Sequence, residues 1–205
     1  MVRYLKPGKI IVASHNPGKV MEISDLLNPL GYETLSAKEL GLMEPEETGK
    51  TFIENAEIKA KSAAENTSIP AIADDSGLCV DLLLGEPGIF SARWAGPKKD
   101  FSLAMNKVEN ALNNKNVDPT GQKAKFVCAL SLCWPDGHCE NFEGQISGTL
   151  SFPPKGKFGF GYDPIFKPLG FDITFGEMDP DKKHSMSHRA EAFNQLVKIC
   201  ISEKK

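Results

Sequence analysis

The chain has 205 residues, 40% of them hydrophobic and 25% charged, with a formal net charge of -3. This length suits one large domain or two small lobes, and the charge gives no bulk attraction for nucleic acid. No apolar run is long enough to span a membrane as a helix, and Met1 to Lys9 lacks the apolar stretch of a secretion signal, so cytoplasmic residence is expected.

Ile10 to Ala13 reads as a first buried strand. It passes into Ser14-His15-Asn16-Pro17-Gly18-Lys19, after which Val20, Ile23, Leu26 and Leu27 recur at helical spacing. Strand, loop and helix in that order set backbone N–H groups and the positive end of a helix dipole at the loop. That setting favours phosphate, and Lys19 adds a full charge. The same residues also suit a surface turn in which Asn16 caps the helix.

A second helix is predicted to start at Thr51-Phe52-Ile53-Glu54, a Ser/Thr-x-x-Glu capping box, and to run through Ala64 with Asn55 and Lys59 on one face. The preceding Glu44-Pro45-Glu46-Glu47-Thr48-Gly49-Lys50-Thr51 ends as a P-loop does, but Glu44 stands where its first glycine belongs and no strand leads in. Its glutamates suit a solvated loop, or one oxygen ligand to a metal shared with Asp75.

A strand beginning near Ile69 carries Ala73-Asp74-Asp75-Ser76-Gly77-Leu78. Successive strand side chains point to opposite faces, so Asp74 and Asp75 start apart and cooperate only where Ser76-Gly77 bends the chain. Two carboxylates at the lip of a buried strand suit a Mg2+ site, because a cation offsets their desolvation; ordinary turn chemistry is the other reading.

Gly85-Glu86-Pro87-Gly88 and Ser91-Ala92-Arg93-Trp94 read as loop. Asp100 is placed to cap a helix whose apolar stripe is Phe101, Ala104, Met105, Val108, Ala111 and Leu112. After a polar connector from Asn113 to Lys125, a strand over 126–134, a turn at Pro135-Asp136-Gly137-His138 and the segment Cys139 to Leu150 read as a hairpin. Lys157 to Pro164 alternates glycine with aromatic rings, which suits stacking on a single nucleobase or a glycine-rich strand edge with core aromatics. A last helix is predicted after Ser187, with Ala190, Phe193, Leu196 and Val197 buried. His188 and Arg189 then fall in its first turn, an unfavourable place for positive charge that a structural role does not explain and a ligand does. Helix and strand alternate early and strands pair late, so the sheet is expected to be mixed. Five cysteines show no metal-ligand spacing, and no disulfide framework is expected. Cys128 and Cys133 fall on opposite faces of one strand.

In this order the segments resemble the inosine triphosphate pyrophosphatase family, whose members are also called XTP/dITP diphosphatases. The resemblance rests on Ser14 to Lys19, Glu46-Glu47-Thr48-Gly49 with Thr51 to Lys59, Ile72 to Leu78, Pro87 to Arg93, Gly159 to Phe166, and Ser187-His188-Arg189. It covers nearly the whole chain, taken as a single domain over 1–205. The first motif departs slightly, with Ser14-His15 where the family commonly has Thr and a small residue, and with Pro17.

The resemblance implies an α/β fold with an elongated mixed sheet flanked by helices, two lobes and a central nucleotide cleft, usually in a homodimer. It implies Mg2+-dependent hydrolysis of ITP, dITP and XTP to the monophosphate and pyrophosphate, with no nucleic-acid or membrane partner. Asp75 would then be proton acceptor and metal ligand, assisted by Asp74, with Glu46 completing the metal site and Glu47 as its immediate rival. Ser14, His15, Asn16, Pro17, Gly18, Lys19, Lys59 and Ser76 would hold the phosphates. Phe160, Gly161, Tyr162, Asp163, Lys183, His188 and Arg189 would hold sugar and base. Arg189 only donates, so it would accept a 6-oxo purine and face the 6-amino donor of adenine unfavourably.

Overall fold

The structure, a computed structural model, describes residues 2–201. Its elements run β1 (Lys9–Val12), α1 (Pro17–Leu27), β2 (Glu33–Ser36), α2 (Phe52–Thr67), β3 (Ala71–Val80), α3 (Ser91–Trp94), α4 (Phe101–Asn113), β4 (Lys123–Cys133), β5 (Cys139–Leu150), β6 (Phe166–Pro168), α5 (Pro180–Met186) and α6 (His188–Leu196). The strands form one six-stranded sheet in the order β2-β1-β3-β4-β5-β6. Strand β1 is parallel to both β2 and β3, with Ile11 opposite Leu35 and Ala71, while β5 and β6 are antiparallel. The fold is therefore α/β with a mixed sheet, as expected. Parallel neighbours need long crossovers, which α1 and α2 supply on either side of β1.

The chain divides into two compact units. Among the described residues, one comprises residues 2–75, 128–144 and 189–201, and the other residues 76–127 and 145–188. In the first, Ile10 and Val12 pack with Ile23, Leu27, Leu130, Leu132, Phe193 and Leu196, whereas Ile11 and Ala13 pack with Ala60, Ala63, Ala64, Ala71 and Ala73. Alternate residues of β1 thus serve two cores, one on each face of the sheet. The second core is made almost wholly of alanine. Small side chains let α2 pack against the sheet, and its Asn55 and Lys59 stripe reaches Asp75 on β3. In the second unit Leu78, Val80, Ala104, Val108, Leu112, Phe126, Phe166 and Phe175 share one cluster. Asp100 caps α4 by accepting from the Ser102 and Leu103 amides, as its position predicted.

Several local expectations are corrected. Ser76-Gly77 makes no turn, because β3 continues through both to Val80. Ser91–Trp94 is one helical turn rather than loop, entered from a 3-10 turn at Gly88–Phe90. Thr51 caps α2, accepting from the Glu54 amide at 3.1 Å, but the Glu54 carboxylate accepts from Lys50, so the box closes one residue early. Residues 157–162 form bends and a turn leading into a 3-10 turn at Asp163–Ile165, so the strand-edge alternative does not hold, with Gly159 and Gly161 at φ of 71° and 70°. Helix α5 was not expected; Asp179 caps it and Pro180 occupies its first position. Cys133 and Cys139 form a disulfide where no pairing was expected. The turn closed by Trp134 N–H on the His138 carbonyl at 2.9 Å brings their Cα atoms to 4.2 Å. Cys128 and Cys133 lie in different cores, on opposite faces as predicted. No helix among the described residues is long and apolar enough to cross a membrane.

Candidate active site

Because β3 continues unbent, Asp74 and Asp75 keep the opposed directions of neighbouring strand residues, and each has its own set of partners. Asp74 is 1% exposed. Its Oδ2 accepts from Arg189 Nε at 3.0 Å, Arg189 Nη2 at 2.9 Å and Cys128 Sγ at 3.0 Å, and its Oδ1 pairs with Lys19 Nζ. Arg189 Nη1 also pairs with the buried carboxylate of Glu22. Two cations thus face two anions in a buried cluster, the condition under which buried charge is tolerated. Burial alone would raise the Asp74 pKa. The charges of Arg189 and Lys19 and the Cys128 donor outweigh it and hold Asp74 well below the usual carboxylate range.

Asp75, on the other side, meets α2. Its Oδ1 is 3.3 Å from Lys59 Nζ and its Oδ2 accepts from Asn55 Nδ2 at 3.3 Å. Lys59 Nζ also donates to Glu47 Oε1 at 2.7 Å. Asn55 and Lys59 reach one carboxylate because they are four apart on one helical face, as the sequence indicated. Burial lifts Asp75 above the usual range even against the nearby Lys59 charge. Lys59 remains charged: burial pulls its pKa down, but Asp75 and Glu47 pull it further up. Glu46 is exposed, and it is Glu47 that shares Lys59 with Asp75. Among the described residues no three His, Cys, Asp or Glu side chains converge as a metal cage. A Mg2+ ion commonly takes only one or two carboxylates from the protein, so Asp75 and Glu47 are a donor set that would fit one.

In the Ser14 to Lys19 loop Asn16 caps α1. Asn16 Oδ1 accepts from the Gly18 and Lys19 amides, at 2.9 and 3.4 Å, and Pro17 takes the first position of α1. Ser14 Oγ accepts from the Asn16 amide at 3.2 Å. His15 points elsewhere, with Nε2 donating to the Leu42 carbonyl at 2.9 Å and Nδ1 lying 4.0 Å from Glu44. The charge of Lys19 is directed to Asp74.

In the second unit Asp163 Oδ2 accepts from Lys183 Nζ and from the Phe160 amide, both at 2.8 Å. Lys183 Nζ lies 4.9 Å from the centre of the half-buried Phe160 ring, within cation–π range. A side chain at Gly159 would collide with the Asp163 carboxylate, so glycine is required there. Gly161 is half-buried. Tyr162 is buried, its hydroxyl donating to the Ser91 carbonyl at 2.9 Å. His188 is buried and stacks on Phe126 with ring centres 4.9 Å apart, and Ser76 is half-buried. The first-turn position of Arg189 is thus explained structurally by Asp74 and Glu22, contrary to the expectation that only a ligand would account for it.

Three participants were missed from sequence. Cys128 carried no usable signal. Glu22 stands three residues after Lys19, on the same side of α1. Asn55 shares the Lys59 face of α2, but nothing in the sequence marks its contact with Asp75.

One strand of an α/β fold presents buried carboxylates to lysines from two helices, and comparison makes the class specific. The Ham1 family model matches residues 10–199, and the chain belongs to the Ham1 family. It is 55% identical to a dITP/XTP pyrophosphatase of Zymomonas mobilis, over 97% of this chain and 95% of that one. It is 56% identical to a dITP/XTP pyrophosphatase of Rhodospirillum centenum, over 94% and 95%. Among solved structures, a HAM1 protein from Coxiella burnetii is 36% identical with a TM-score of 0.84, covering 95% of this chain and 98% of that one.

Proposed function

We propose that the chain hydrolyses dITP, XTP and ITP to the nucleoside monophosphate and pyrophosphate, with Mg2+ as cofactor. The observation that carries this reading is the Asp75, Lys59 and Glu47 group, two carboxylates sharing one lysine, in a chain 55% identical to a dITP/XTP pyrophosphatase. Asp75 is the proposed proton acceptor, because burial raises its proton affinity toward the range where a carboxylate accepts a proton usefully. Asp74, held ionised by Arg189 and Lys19, is a poor base and is assigned to orienting those two cations. Asp75 and Glu47 would hold Mg2+, which when bound neutralises phosphate oxygens. Lys59 and Lys19 would hold the phosphates, along with Ser76 and the Ser14 to Lys19 loop.

For the base, the proposed platform is Phe160, with Gly161, Tyr162, Asp163 and His188 shaping its surroundings. Lys183 beside that ring only donates, so it suits a 6-oxo purine and leaves a 6-amino donor unanswered. Arg189 also only donates, but its Nε, Nη1 and Nη2 are all committed to Asp74 and Glu22, whereas Lys183 is paired with Asp163 beside the Phe160 ring, so Lys183 is assigned as the reader. We further propose, from the family resemblance, a homodimer acting on the cytoplasmic nucleotide pool without a nucleic-acid partner. The test is a panel of dITP, XTP, ITP, dATP and dGTP with Mg2+, Mn2+ or a chelator. Pyrophosphate release from the first three, lost on chelation, supports the reading; orthophosphate as the product, or equal rates on dATP, refutes it.

A further inference from the structure

Asn55 is fully buried, and both ends of its amide are engaged. Its Oδ1 accepts the Gly49 N–H at 2.8 Å, and its Nδ2 donates to Asp75 Oδ2 at 3.3 Å. A backbone N–H can only donate, so the end toward Gly49 must be the carbonyl oxygen, and the NH2 must face the carboxylate. An amide is the neutral group that satisfies a donor on one side and an acceptor on the other. Lys59, one helical turn further along α2, meets the other oxygen of Asp75. Both oxygens are therefore gripped from a single helix face. The contact with the acidic loop is equally close. A Cβ added at Gly49 would lie 2.6 Å from Asn55 Oδ1, 2.7 Å from Glu54 Cβ and 2.9 Å from the Asn55 nitrogen. Only glycine lets the loop that carries Glu47 approach α2 in this way.

We infer that Asn55 is a positioning residue, a buried crossbar that fixes the orientation of the Asp75 carboxylate and ties it to the acidic loop at Gly49. The inference rests on the proposed pyrophosphatase reading for its kinetic test. At saturating Mg2+, a carboxylate freed to turn about its side-chain bond leaves the lysine and base contacts to the substrate intact, so the loss falls on kcat and not on KM.

Three variants separate the two contacts. Asn55→Ala removes both, Asn55→Asp keeps the acceptor toward Gly49 but sets a second carboxylate against Asp75, and Gly49→Ala displaces the loop with the amide intact. In the first two, kcat on dITP is expected to fall about 100-fold with KM within about threefold of wild type, the scale of a misplaced reacting group. Gly49→Ala is expected to lower kcat about tenfold on the same grounds. Circular dichroism at the assay temperature identifies any variant that has unfolded. A folded Asn55→Ala enzyme with kcat within about twofold of wild type, or one altered only in KM, overturns the inference. A second measurement does not depend on turnover. In urea unfolding, Asn55→Ala and Asp75→Ala are expected to be non-additive by about threefold or more in the unfolding constant. Additivity overturns the crossbar even if the wild type is active. Failure of wild type to release pyrophosphate refutes the activity reading instead, and the coupling measurement then decides on the crossbar.

Discussion

Arg189 donates from both Nε and Nη2 to a single oxygen of Asp74, at 3.0 and 2.9 Å, while its Nη1 is paired with Glu22. Both residues are almost completely buried. Removing one partner strands the other charge in a low-dielectric interior, so Asp74→Ala is expected to destabilise the fold by about 3–5 kcal/mol. Urea unfolding at neutral pH measures this. A loss of less than about 1 kcal/mol, typical of a solvated surface pair, would show that the cluster is not holding the unit together.

The same cluster sets an acid limit on stability. The folded pKa of Asp74 lies well below its unfolded value, because Arg189 and Lys19 outweigh its burial. Its contribution is therefore complete above the unfolded carboxylate value, about 3.9, and is lost as pH falls toward the folded value. Unfolding free energies at several pH values between 6 and 2 are expected to fall more steeply for wild type than for Asp74→Asn below about pH 4. Parallel curves would contradict the assignment.

Asp75 should behave differently on substitution. Burial already raises its proton affinity, so its neutral isostere loses little of what the fold needs. Asp75→Asn is expected to remain folded, with a melting temperature near that of wild type, while pyrophosphate release from dITP falls by about 10²–10⁴-fold, the usual worth of a general base. Wild-type turnover in that variant would eliminate Asp75 as proton acceptor.

Glu47 and Glu46 provide an internal control, because adjacent glutamates of the same loop differ in setting: only Glu47 is joined to Asp75 through Lys59. Glu47→Gln is expected to raise the Mg2+ concentration needed for half-maximal activity about tenfold or more, the scale of a lost ligand-shell interaction. Glu46→Gln is expected to stay within about threefold of wild type, as exposed substitutions usually do. The reverse ranking would move the metal proposal to Glu46.

Much of this was legible in the chain because it follows local periodicity. The opposed directions of Asp74 and Asp75 come from the two-residue repeat of a strand, and the shared face of Asn55 and Lys59 from the four-residue spacing of a helix. The mixed sheet followed from the order of elements. What was not legible depended on long-range pairing. Arg189 and Cys128 lie 115 and 54 residues from Asp74, and no local pattern couples them. The choice between Glu46 and Glu47 falls in a loop with no period to read. Ser76-Gly77 was misjudged because its turn propensity is local, whereas β3 is a strand held in the sheet between β1 and β4, and tertiary pairing prevailed.

Phe160 and Lys183 offer the test of base recognition. The ring is half-buried and carries the Lys183 ammonium 4.9 Å from its centre, while Asp163 anchors the same ammonium at 2.8 Å. If a purine stacks on this ring, Phe160→Ala removes about 1–3 kcal/mol of binding, and KM for dITP rises by roughly 5- to 150-fold with little change in kcat. Lys183→Met keeps much of the packing but removes the donor. It is expected to reduce activity on dITP and XTP more than on dATP, narrowing the preference between 6-oxo and 6-amino purines by about tenfold. Steady-state kinetics on the three nucleotides decides the point. An Arg189→Met variant that narrows the same preference while Lys183→Met leaves it unchanged would return base reading to Arg189, and would require its guanidinium to leave Asp74 when nucleotide binds.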